Sequence, residues 1–187
     1  EEMIAYGAVI CNNADYNLRK IRLLEGTHPF PSQKNVDSTK KIVSLAKKFE
    51  KNDYALCLIS GGGSSLLFLP AHGIPLNEKI EAVKMMMLSG LSVQEMNIVR
   101  KHLSDIKGGK LNKYIQPARI INIIISDDVD DNVYSIASGA TLPDPTTYKD
   151  ALSIIKKYQL EKELPSSVTE YIKTNINAKN EKKPIQC

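Results

Sequence analysis

Two apolar runs, residues 54–59 (Tyr-Ala-Leu-Cys-Leu-Ile) and residues 119–125 (Arg-Ile-Ile-Asn-Ile-Ile-Ile), constrain this chain more than any other feature. A strand with one wet face alternates apolar and polar residues, and neither run does so. Continuous apolar character over so short a length is how a strand covered on both faces of a parallel sheet reads. Both runs end in polar loops, 60–65 and 126–131. Neither is long enough to cross a bilayer, and the N-terminus has neither a basic region nor an apolar leader.

The pattern around these runs is helical. Ile42, Leu45, Ala46 and Phe49 fall at i, i+3, i+4, i+7 with lysines between them, which predicts an amphipathic helix from about residue 37. A second helix is expected over 77–88, closed by Gly90. A third opens on Ser92, with Glu95 three residues on as a capping box, and runs to about Ser104. A fourth covers 147–158 with Ala151, Ile154, Ile155 and Tyr158 on one stripe. Two short strands, 4–10 and 20–24, precede them. Helices alternating with buried strands define an α/β protein, expected here as a three-layer Rossmann-like sandwich with a mainly parallel sheet.

At 187 residues, with 42% hydrophobic and 25% charged, the chain can bury a core without disulfide or metal. One domain over residues 1–174 is expected, followed by a polar, lysine-rich tail or linker over 175–187. The formal charge of +4 comes from basic residues scattered among acidic ones, so no nucleic-acid footprint is indicated. Cys11, Cys57 and Cys187 form no pair or metal spacing, which suits a reducing, cytoplasmic compartment. Cys57 reads as a small core residue and the run Met85, Met86, Met87 as helix core. The chain begins Glu-Glu without an initiator Met, which reads as a portion of something longer.

Ligands of open α/β sheets bind at the carboxyl ends of the strands, where both polar loops leave. In the first, Ser60, Gly61, Gly62, Gly63, Ser64 and Ser65 offer bare backbone N–H groups and hydroxyls to a phosphate or carboxylate. A tight strand-to-helix turn is the plainer alternative. The pattern matches neither a Walker loop nor a dinucleotide fingerprint. The second loop carries Asp127, Asp128, Asp130 and Asp131, a density that a hard cation such as Mg²⁺ would relieve, or that is simply a solvated acidic turn. On the third helix Asn97, Arg100, Lys101 and Ser104 share a face, followed by Lys107. Such a face is ordinarily solvated. Beside an anion loop and an acidic loop its cations become parts of a phosphoryl-transfer site. His28 and His102 read as packing or hydrogen-bonding residues.

Four segments, in order, resemble the glycerate 2-kinase family, some members of which have been labelled hydroxypyruvate reductases. They are residues 58–67 around the glycines, residues 97–109 from Asn97 to Gly109, Ile125-Ser126-Asp127, and residues 136–144 from Ile136 to Asp144. Residues 26–31 are similar to that family's Gly-His-Pro-x-Pro segment. The resemblance implies phosphorylation of D-glycerate to 2-phosphoglycerate with ATP and Mg²⁺ as cofactors. It further implies Asp127 as metal ligand or hydroxyl-orienting base, and Arg100, Lys101 and Lys107 as cations for the substrate carboxylate and the transferring phosphate. Ser138, Gly139, Thr141 and Asp144 are expected to line the same cleft.

The chain departs from the family where Asp128 to Asp131 replace a Val followed by Gly-Asp, and where Ala140 stands for a proline. Against the resemblance, the chain is expected to be a large-domain portion without the family's N-terminal segment with a catalytic lysine and its smaller C-terminal domain, inactive alone, with oligomerisation left open. The alternatives are a non-catalytic anion-binding remnant and, ranked lower for want of the dinucleotide fingerprint, an NAD(P)-dependent reductase.

Overall fold

A computed structural model describes residues 2–13, 15–126 and 133–177. The chain divides into two compact units, Glu1–Leu69 with Leu111–Ala137, and Pro70–Lys110 with Ser138–Cys187.

The first unit is α/β. Strands β1 (Gly7–Cys11) and β2 (Ile21–Glu25) pair in parallel, and helix α1 (Gln33–Ala46) packs on both. The helix starts four residues earlier than its periodicity predicts, because Ser32 and Asn35 form the entry turn. Its buried stripe is Val36, Thr39, Val43 and Ala46. Ile42 and Leu45 are half-buried at the edge of the stripe, and Phe49 lies beyond the last turn.

Strands β3 (Tyr54–Ile59) and β4 (Arg119–Ile124) form the second parallel pair, in register from Tyr54–Arg119 to Ile59–Ile124, and between them in the chain this unit adds the four-residue helices α2 (Gly63–Leu66) and α5 (Asn112–Ile115). The α/β class with parallel strands is therefore as the sequence reads. The expectation that both runs are buried on both faces is not met. Ala55, Cys57, Ile120, Asn122 and Ile124 face inward, and burial pushes the Cys57 thiol up to about 11. Leu56, Leu58, Ile121, Ile123 and Ile125 form an exposed apolar face, with Leu58 at 71%. Burying that second face takes another layer of secondary structure, which the described residues do not lay on it.

The second unit is helical. Helices α3 (Leu76–Leu88), α4 (Val93–His102), α6 (Tyr148–Lys157) and α7 (Ser166–Asn177) surround a core of Ala82, Met86, Val99, Leu103, Ile155, Leu160, Val168 and Ile172. Of the three consecutive methionines only Met86 is wholly buried, and Met87 is exposed. The capping box at Ser92 is present, with Glu95 N donating to Ser92 Oγ. Glu95 also accepts from Lys157 at 2.7 Å and from the Tyr158 hydroxyl at 2.8 Å, so one carboxylate caps α4 and ties it to α6. Helix α7 extends through the start of the tail expected from residue 175. No helix of the described residues is long and apolar enough to cross a membrane.

Candidate functional site

In the first unit the chain leaves β3 through Ser60 and turns at Gly62, whose φ of +76° favours glycine, into the four-residue helix α2 (Gly63–Leu66). Gly63 is required for a different reason, since a Cβ there would lie 2.8 Å from that of Ala137. The turn consumes part of its own donor set. Gly63 N donates to Ser60 O, Ser65 N to Gly62 O, and the Ser65 hydroxyl also to Gly62 O at 3.0 Å. The amides of Gly61 and Gly62 take no part in these bonds.

Two residues that the sequence reading did not single out in this role frame the turn. The His28 ring stands so close to Gly62 that a Cβ there would meet Nε2 at 3.1 Å. Asn35, fully buried on α1, accepts from Thr27 N and Ser32 N at 3.0 and 2.8 Å and donates to Thr27 O and Ser65 O, both at 2.9 Å. One amide thus joins the 26–32 segment to the glycine turn. Its sequence signal was an amide on the apolar side of an amphipathic helix, a place where a polar group must find partners.

In the second unit the face predicted from Asn97, Arg100, Lys101 and Ser104 is not solvated. Asn97, Lys101, Ser104 and Lys107 are all buried, with Lys107 at 0%, and Arg100 alone of the group is half-exposed. Ser104 lies past the end of α4. The cations are held by a short backbone zipper: Gly108 N donates to Ser138 O at 3.1 Å and Gly109 N to Gly139 O at 2.7 Å. Both glycines have positive φ, and added Cβ atoms would meet Asp144 Oδ2 and the Leu142 carbonyl, each at 2.8 Å. Ser138, itself at φ +56°, and Thr141 are buried in the opposing segment of this contact.

Asp144 lies 3.6 Å from Lys101 Nζ, both side chains nearly fully buried, and accepts from Thr146 N and Oγ1. Lys110 Nζ donates to Lys101 O and Ser104 O at 2.9 and 2.7 Å, closing the C-terminus of α4. His102 packs against Tyr148 with ring centroids 4.6 Å apart and the planes tilted at 45°, and its Nε2 lies 3.2 Å from Thr146 Oγ1. Because that hydroxyl donates to Asp144, it accepts from the ring, which assigns the Nε2–H tautomer and leaves Nδ1 buried without a partner. Burial, with Lys110 and Lys101 against Asp144, lowers this imidazole to about 4. Burial also pushes Arg100 down, and burial with neighbouring cations pushes Lys107 well below the ordinary lysine range.

Asp127, Asp128, Asp130 and Asp131 lie outside the described residues. Among the described residues no three His, Cys, Asp or Glu side chains gather as a metal would need, so no metal chemistry is derived from them. The basic cluster, by contrast, suits a phosphate or carboxylate.

Comparison with known proteins places this chain in a family. Residues 1–173 match the family described as Domain of unknown function (DUF4147), and the chain belongs to that family. It is 40% identical over 164 residues to a glycerate 2-kinase of Pyrococcus horikoshii, covering 88% of this chain and 37% of that protein. It is 39% identical over 139 residues to a D-glycerate 2-kinase of Thermotoga maritima, covering 74% of this chain and 33% of the other. The crystal structure of glycerate kinase from Thermotoga maritima superposes with a TM-score of 0.85 at 35% identity, over 91% of this chain and 41% of that one. The chain therefore spans about a third to two fifths of the length of these relatives.

Two measurements check this geometry. Gly109→Ala should lower stability by about 2 kcal/mol or more, from an unfavourable φ and a contact with a fixed carbonyl; an unchanged denaturation midpoint would show that the zipper is dispensable. The His102 imidazole is lowered, so the unfolded chain takes up its proton first. Its stabilisation is whole above about pH 6.5 and is lost as pH falls towards about 4. Melting temperature should decline across that window, and His102→Gln should flatten the decline.

Proposed function

We propose that this chain is the part of a glycerate 2-kinase that grips anionic groups during transfer of the ATP γ-phosphoryl group to the 2-hydroxyl of D-glycerate. The observation that carries the reading is the basic cluster of half-exposed Arg100 with buried Lys101 and Lys107, beside the Gly108–Gly109 zipper, within a segment that resembles the kinases. Phosphoryl transfer depends on positioning and charge neutralisation, and cations fixed away from water neutralise charge most effectively.

In this reading Arg100, half-exposed, meets the anionic group directly. Lys101, oriented by Asp144, and Lys107 supply fixed positive charge, while Asn97, Ser138, Gly139 and Thr141 shape their surroundings. The turn of Ser60, Gly61, Gly62, Gly63, Ser64 and Ser65 offers the amides of Gly61 and Gly62 to a second anionic group, with Ser65 spent on holding the turn. ATP supplies the phosphoryl group. Asp127 is our candidate for holding Mg²⁺ or orienting the hydroxyl, in a reducing, cytoplasmic setting. We further propose that the chain alone does not turn over, because it spans so small a share of its kinase relatives.

A coupled assay for 2-phosphoglycerate tests this in a protein of the relatives' full length. Product should require both ATP and D-glycerate, and Arg100→Ala should lower kcat/KM by roughly 100-fold. NADH-dependent reduction of hydroxypyruvate without ATP turnover would establish the reductase instead, and near wild-type kcat/KM in Arg100→Ala would remove the cluster from the mechanism.

A further inference from the structure

Lys101 and Asp144 are nearly fully buried side chains of opposite charge, yet they stand 3.6 Å apart. A charge-assisted hydrogen bond closes to about 2.7–2.9 Å. The pairs Lys34–Glu25 and Lys157–Glu95 do so, each at 2.7 Å, although both lysines are exposed. Burial strengthens attraction, so the wider gap at Lys101 has a structural cause. The Asp144 carboxylate is held from two sides. Its Oδ1, the oxygen nearer Lys101, accepts from Thr146 N at 3.1 Å and from Thr146 Oγ1 at 2.8 Å. Its Oδ2 lies along Gly108, 2.8 Å from where a Cβ would stand. Among the described residues the Lys101 ammonium donates no hydrogen bond.

Thr146 can make its bond because the next residue does the capping. Thr147 is the N-cap of α6 and exchanges hydrogen bonds with Asp150, which leaves Thr146 to turn back onto Asp144. The Thr146 hydroxyl is aimed by His102, whose Nε2–H donates to Oγ1 across 3.2 Å, so that the hydroxyl proton goes to Asp144. That bond comes at a cost, since His102 Nδ1 is buried without a partner. An apolar ring would pack against Tyr148 without leaving a polar atom unpaired.

We propose that Thr146 is a positioning residue for Lys101: by occupying Asp144 Oδ1 it leaves the ammonium oriented by the carboxylate but not bonded to it, with its protons available to an anionic group. The inference rests on the cluster's assignment as an anion site under Proposed function. Without the hydroxyl, Oδ1 loses its shorter bond and Lys101 closes onto it. The anionic group then meets a cation already paired.

Sulfate binding to this chain, followed through amide shifts around Arg100, tests this in a double-mutant cycle of Lys101→Met and Thr146→Val. Lys101→Met should weaken binding roughly tenfold, and Thr146→Val by a similar factor. The two combined should bind no more weakly than Lys101→Met alone, and Thr146→Ser, which keeps the hydroxyl, should bind as the wild type does. Additive losses in the cycle, wild-type affinity in Thr146→Val, or a Thr146→Ser as weak as Thr146→Val overturns the role of Thr146 and leaves the anion site standing. Absence of sulfate binding by the wild-type chain, or undiminished binding by Lys101→Met, overturns the reading of the cluster itself. Should Thr146→Val fail to fold, the Lys101 Nζ resonance of the wild-type chain decides. It should move as sulfate is added, and a fixed resonance while the Arg100 amides respond overturns the proposal.

Discussion

Two hydrogen bonds between glycine-permitted backbones organise the basic cluster: Gly108 N to Ser138 O and Gly109 N to Gly139 O. Side chains on either residue would collide with Asp144 or Leu142, so the two segments can approach only because neither glycine carries a Cβ. The approach fixes Lys107 immediately before the zipper and Lys110 immediately after it. Across it stands Asp144, within reach of Lys101. Charges that would repel one another in a loose loop are thus held by backbone geometry, which side-chain titration cannot release.

The fold was legible where periodicity is strong. The stripe of Ala151, Ile154 and Ile155 and the box of Ser92 and Glu95 stand where the sequence puts them. What the sequence could not disclose was which apolar residues have a neighbour. Leu56 and Ile121 look as buried as Ala55 and Ile120 in a one-dimensional pattern, and only the packing separates the two faces. The site was legible as a set of residue types but not as a set of environments. Arg100 and Lys101 read as one solvated face, yet Lys101 is sealed against Asp144. The role of Asn35 is spread over partners, Thr27 and Ser65, that lie on opposite sides of it in the chain, so no local motif carries it.

The two units solve different problems of charge. The glycine turn spends its carbonyl at Gly62 and its hydroxyl at Ser65 on its own shape, leaving two neutral amides as donors. The helical unit instead gathers Arg100, Lys101 and Lys107 where burial disfavours positive charge, a desolvation cost that a bound anion would offset. A protein handling a carboxylate and a polyphosphate has use for both kinds of donor, which agrees with the glycerate kinase reading.

The central proposal is that anionic groups engage residues 60–65 of the first unit and residues 100–110 with 138–144 of the second. Hydrogen–deuterium exchange of the chain with and without 2-phosphoglycerate tests it most directly. Protection should rise in residues 60–65 and in residues 100–110 with 138–144, while α7 and the β1–β2 pair exchange as before. Protection confined to other segments, or spread evenly over the chain at saturating ligand, would contradict the account.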